Sequence, residues 1–249
     1  MNNNIKKLFV ISFIGFSNLI WSQPIVSIEE LRREGEIGNF FTTALNLSGS
    51  SGNEERENIN FSFAANRNTN DVESLVYLNF QERTKNQQIE DEANFFHARL
   101  LFKSREVFNW EIYTQYSENP FQLYKKRALI GAGARFKLPN DKRLGISILN
   151  EKETSLINNE EVTTDRFNFY YTDSISLNEN INFNYSIFFQ PSIKEFSNDY
   201  KLSSLLQIEF FINERVSINF NVSRTEDTDP PILASESDTA YATEFRLSL

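Results

Sequence analysis

From about residue 39 to the last residue, apolar and polar side chains alternate with a period of two. Ile59, Phe61, Phe63 and Ala65 alternate with Asn58, Asn60, Ser62 and Asn66. Phe108, Trp110, Ile112, Thr114 and Tyr116 alternate with Asn109, Glu111, Tyr113, Gln115 and Ser117. The same alternation marks Ile181, Phe183, Tyr185, Ile187 and Phe189, and again Val216, Ile218, Phe220 and Val222. Successive side chains of a strand point to opposite faces, so each stretch predicts a strand with one apolar and one polar face. About twelve such strands follow, near 39–48, 58–67, 72–82, 93–104, 107–117, 127–138, 143–152, 165–177, 181–192, 200–212, 215–224 and 239–249. Most are close to the roughly 9–11 residues a tilted strand needs to cross a bilayer.

The connections alternate as well. Asn68-Thr69-Asn70, Arg105-Glu106, Pro139-Asn140-Asp141-Lys142, Asn178-Glu179-Asn180 and Asn213-Glu214 read as tight turns. Between them stand longer polar connections over 49–57, 83–92, 118–126, 153–164, 193–199 and 225–238. An even number of strands with both termini on the short-turn side is the topology of outer-membrane barrels.

The final nine residues close this picture. Tyr241, Thr243, Phe245, Leu247 and Leu249 share one face of a strand that ends the chain, as a barrel-closing strand would. The predicted fold is all-β: a single antiparallel up-and-down transmembrane β-barrel of about twelve strands over 39–249, preceded by a cleaved signal peptide. A soluble barrel shows the same alternation turned inside out. The leader, the strand lengths, the loop alternation and the apolar terminal strand favour the membrane.

Charge supports that choice. An Arg or Lys facing lipid at the midplane costs about 2–4 kcal/mol, so charges belong on the polar parity. His97, Arg99, Glu111, Arg127, Gly131, Gly133, Arg135, Arg166, Glu209, Glu244 and Arg246 all fall there and are the candidate lumen-facing residues.

Residues 1–22 read as a secretory signal peptide, with Lys6 and Lys7 before an apolar run from Leu8 to Phe16 and cleavage expected after Ser22. Residues 23–38, charged around Ile28 and Leu31, read as a periplasmic lead-in. The chain has no Cys, which excludes disulfides, thiolate metal sites, a cysteine nucleophile and a lipid-bearing N-terminal cysteine. A net charge of −9 speaks against nucleic acid as a partner. The 24 Phe in a polar chain suggest an aromatic, β-rich apolar surface.

Candidate chemistry is sparse. His97 is the only histidine, so a zinc site built on two histidines is impossible, and no serine lies within two residues of it. A hydrogen-bonded lumen histidine is the expectation, with an outer-membrane lipid-modifying enzyme as the alternative. Gly131 and Gly133 sit within a strand, where they leave room for an inward neighbour such as Tyr113 or Tyr170 rather than cradle a phosphate. Arg127, Arg135, Arg166 and Arg246 form either a basic wall facing Glu111, Glu151, Glu209 and Glu244, as in a solute channel, or pairs that fill the lumen. Acids at Asp227, Asp229 and Asp238 and at Glu153, Glu160 and Glu161 match no defined cation loop and read as solvated. No catalytic residue, cofactor or metal site is expected. The sequence points to a non-catalytic barrel, acting as a narrow channel or an envelope element, or binding through its loops.

Five short motifs carry a family resemblance. Asn94-Phe95-Phe96-His97-Ala98-Arg99-Leu100, the run from Arg127 to Arg135, Glu151-x-Glu153, Gln190-Pro191 and Asp199-Tyr200 resemble the putative salt-induced outer-membrane proteins, the domain of unknown function DUF481. Lys201, where arginine is expected, and Leu249, where an aromatic end is commoner, depart from the pattern. The resemblance implies location in the cell outer membrane, among its lipids and lipopolysaccharide, and insertion by the barrel-assembly machinery. It brings no reaction or ligand.

Overall fold

The computed structural model describes Leu31 and residues 36–50, 55–104, 107–140 and 142–249. The expected leader over 1–22, most of the lead-in and the Arg105-Glu106 turn lie outside the described residues. Twelve strands form one antiparallel sheet: β1 (Gly38–Ser50), β2 (Arg56–Asn68), β3 (Val72–Lys85), β4 (Gln88–Lys103), β5 (Phe108–Asn119), β6 (Tyr124–Lys137), β7 (Arg143–Ser155), β8 (Glu161–Asn178), β9 (Ile181–Pro191), β10 (Tyr200–Phe211), β11 (Val216–Asp227) and β12 (Ser237–Ser248). Each pairs with its sequence neighbours, and β12 returns to β1 to close the barrel. The closing ladder runs from Thr42 opposite Ser248 to Leu45 opposite Phe245. Phe41 and Leu249 then exchange both backbone hydrogen bonds, at 3.0 and 2.7 Å, so the last residue of the chain takes part in closure.

Asparagine side chains build several turns at one end, where they satisfy backbone donors that the ladder leaves. Asn180 donates its backbone N–H to Asn178 Oδ1 (2.9 Å), and Arg215 and Val216 both donate to Asn213 Oδ1 (2.9 and 3.0 Å). Thr69 holds the first turn through reciprocal bonds with the backbone of Val72.

The other end differs from the expectation of long loops. β3 and β4 run on to Lys85 and Gln88, and the expected 83–92 loop is a two-residue turn at Asn86 and Gln87. Both take positive φ (49° and 64°), the twist that suits a tight hairpin. β7 and β8 likewise reach Ser155 and Glu161. Connection length therefore does not alternate regularly. The physical reason is that backbone pairing needs no apolar face, so the ladder continues into polar sequence beyond the lipid-like band. One rim thus carries strand overhangs, the other short turns.

The band itself is aromatic. Phe41 stacks on Phe63 across β1 and β2 (6.2 Å), Phe108 meets Trp110 and Phe136, and Phe210 meets Phe220 edge-on (5.8 Å). Ile130, Ile148 and Phe245 stand more than half exposed to the outside. Charges on the outward parity gather at the strand ends: Glu57, Glu82, Lys126, Lys152 and Arg224 toward the overhangs, Arg67 and Asp173 toward the turns. An apolar exterior over a polar, buried interior is the arrangement of a membrane-spanning barrel, and a closed barrel leaves no edge unsatisfied in lipid.

Candidate functional site

The polar parity points into the barrel and forms the one extensive polar environment of the described residues. Arg99, Glu111, Arg135 and Arg166 are each no more than 6% exposed and His97 is fully buried.

Toward the short turns, Glu111 accepts a hydrogen bond from the Tyr170 hydroxyl (2.9 Å) and lies 3.7 Å from Arg99 Nη1. The Arg99 guanidinium sits over both Tyr113 and Tyr170 (5.5 and 5.7 Å), and Arg135 sits over Tyr170 (5.9 Å). Gly145 makes this possible, because a Cβ there would collide with the Tyr170 ring. Gly131 lies in the same way under Tyr113, its register partner on β5, and Gly133 leaves room for the backbone of Ile146. On the far wall Arg246 binds Glu244 (2.9 Å) and Glu209 (3.5 Å), and Ser217 donates to Glu209.

At mid-depth the polar groups are hydroxyls, amides and the His97 imidazole. The Tyr113 hydroxyl meets Ser147 Oγ at 2.8 Å, and Asn168 donates to both (3.1 and 3.0 Å). His97 Nδ1 lies 3.0 Å from Gln115 Nε2, and its ring stacks on Tyr113. Ser147 is engaged by Tyr113 and Asn168, and His97 Nδ1 by Gln115.

Toward the overhangs lies the densest cluster. Glu151 receives Arg127 through a short ion pair, Arg166 at 2.7 Å and Lys201 at 3.7 Å. Lys201 also reaches Glu153 (2.7 Å) and Asp227 (3.0 Å), while Arg166 binds Asp199 (2.7 Å) and the Gln190 carbonyl (3.3 Å). Three cations thus meet four carboxylates. Buried charges need such pairing, because removal from water otherwise costs several kcal/mol per ion.

Of the two arrangements open in the sequence, pairing is the one found. Arg127 and Arg166 share Glu151, Arg246 takes Glu209 and Glu244, and Arg99 faces Glu111, so no basic wall stands opposite an acidic one. Of the loop acids, Glu153 and Asp227 are drawn in by Lys201, whereas Glu160, Glu161 and Asp229 stand exposed, Glu161 beside Lys152 at the surface (2.8 Å). No group of three or more His, Asp or Glu able to hold a metal ion occurs among the described residues. On the closing strand, Tyr241, Phe245 and Leu249 project outward, each at least half exposed.

Sequence reading missed Lys201 as the centre of the charged cluster and Gly145 as the seat of Tyr170. Both were within reach, since Lys201 shares the inward parity of Glu209 and Gly145 that of Ser147. The register that sets them beside their partners was not.

Above the cluster a cavity of about 200 Å³ opens at the overhang rim, between Phe95, Gln115, Tyr124, Arg127, Lys201 and Pro230. The cluster and the packed layer below it form its floor.

Solved structures similar to this chain include the translocator domain of the autotransporter NalP from Neisseria meningitidis (7% identity, 89% of this chain and 91% of that one, TM-score 0.48). The NanC porin (5%, 84% and 97%, 0.46) and the CymD monoaromatic hydrocarbon channel (6%, 91% and 93%, 0.44) are others. No curated protein matches the chain. The model of the family described as "Protein of unknown function, DUF481" matches residues 44–248, which takes in eleven whole strands and most of β1, and the chain belongs to that family.

Proposed function

We propose that this chain is a non-catalytic barrel of the bacterial outer membrane, short turns toward the periplasm and overhangs outward, whose filled lumen makes it an envelope element rather than an open pore. The observation that carries the reading is the convergence of Arg127, Arg166 and Lys201 on Glu151 above a packed layer of His97, Tyr113 and Tyr170. An ion crossing the barrel would have to break paired buried charges and displace rings. The apolar band and the secretory leader expected at 1–22 support the location, with outer-membrane lipids and lipopolysaccharide around the band and the barrel-assembly machinery as the route of insertion.

The test is single-channel recording of the refolded mature chain in a planar bilayer, beside Arg135→Glu. Silent bilayers from protein that runs as a heat-modifiable band are expected for both. Discrete conductance steps whose ion selectivity shifts with Arg135→Glu would overturn the closed lumen.

A second reading is favoured by the rim cavity. Its mixed lining of Phe95, Tyr124 and Pro230 with Gln115, Arg127 and Lys201 suits a small ligand bound from outside. Catalysis on lipid has no such support, since His97 is enclosed with Gln115 and Tyr113.

A further inference from the structure

Leu31 precedes the barrel in sequence, yet it is 8% exposed and packs inside it against Ala64, Leu75, Tyr77 and Phe95. Its backbone carbonyl accepts a hydrogen bond from Asn66 Nδ2 at 2.8 Å, and Asn66 is itself buried. Ala64 and Asn66 lie in the last turns of ladder before β2 ends at Asn68, and Leu75 lies just after β3 begins at Val72. The seat therefore runs from the short-turn side to the mid-depth layer, where Tyr77 pairs in register with His97. Ala64, Leu75, Tyr77 and Phe95 together form an apolar hollow that the leucine fills.

We propose that the chain ahead of β1 is held within its own barrel at Leu31, with the leucine side chain as the anchor and Asn66 as the group that receives its backbone carbonyl. Two independent features select this occupant. The apolar hollow takes an aliphatic side chain, and the inward amide supplies a donor for a main-chain carbonyl that would otherwise be buried without one. A solute would need to match both, whereas Leu31 does so and belongs to the same chain a few residues ahead of β1. Tethering raises its effective concentration far above that of a free competitor. The docking is separate from the closed-lumen reading, and its test does not use conductance.

Because the chain has no cysteine, single cysteines report on individual positions. Leu31→Cys and Glu36→Cys, the latter exposed, would be placed in the refolded mature chain and labelled with a membrane-impermeant maleimide. Heat-modifiable mobility would verify that each barrel is folded. Labelling at position 31 is expected to be at least about tenfold slower than at position 36, since a docked side chain reacts only when its segment opens. Adding Asn66→Ala should speed position 31 about fivefold, the effect of losing one hydrogen bond, and leave position 36 unchanged. Equal rates at the two positions would overturn the proposal. So would protection at position 31 that is insensitive to both Asn66→Ala and Tyr77→Ala.

Discussion

At the scale of the residue, the interior is governed by the cost of burying charge and volume. Glu151 holds three cations at once, and replacing it with Gln leaves Arg166 only Asp199 and Arg127 only Glu153, at 3.9 Å, as carboxylate partners. Loss of one partner of a buried pair typically costs about 3–5 kcal/mol. Glu151→Gln should therefore lower the unfolding free energy from urea titration in detergent by less than that full range, because each arginine keeps a second carboxylate, whereas Lys152→Ala, half exposed on the same strand, should change it little. The glycines are matched to rings and backbone. A methyl at Gly133 meets the carbonyl of Ile146, which the ladder holds in place, so Gly133→Ala should cost about 1–3 kcal/mol in the same measurement. Gly131 and its register partner Tyr113 were visible in the sequence as residues of one parity. That Tyr170 lies over Gly145 was not, because it depends on how β8 is staggered against β7, where Gly145 faces Tyr170 directly.

At the scale of the element, parity is what the strands obey and pairing is what sets their length. Ile148 faces outward at mid-strand, and Ile148→Arg should destabilise the folded barrel by about 2–4 kcal/mol. The same substitution at Lys152, near the overhang end of β7, should be nearly neutral, and a refolding titration in lipid vesicles would compare the two. Removing Phe245 to Leu249 deletes β12's side of the ladder to β1 together with the Phe41 and Leu249 bonds. No heat-modifiable band is expected from that truncation, and its appearance would show that closure tolerates loss of the strand. The twelve strands were legible because a period of two survives any local context. The overhangs were not: Arg83, Lys85 and Gln88 carry no apolar stripe, yet β3 and β4 stay paired there in the ladder.

At the scale of the whole molecule, residues far apart in the chain become one interior. Arg127, Glu151, Glu153, Gln190 and Asp199, drawn from four of the five motifs that carry the family resemblance, converge with Arg166 and Lys201 at the overhang end. The expectation at this scale is a folded, non-conducting barrel, read by the bilayer recordings. By itself the sequence determined the all-β class, the number of strands, their closure through the last residues and the face on which charge is admitted. These follow from alternation and from the cost of charge in lipid, and both are local properties. Only the tertiary structure decided whether the inward charges stand as opposed walls or close on one another, and that Leu31 lies within the barrel. Pairing across a lumen depends on stagger and closure, which fix the height at which each side chain enters, and no single strand carries that information.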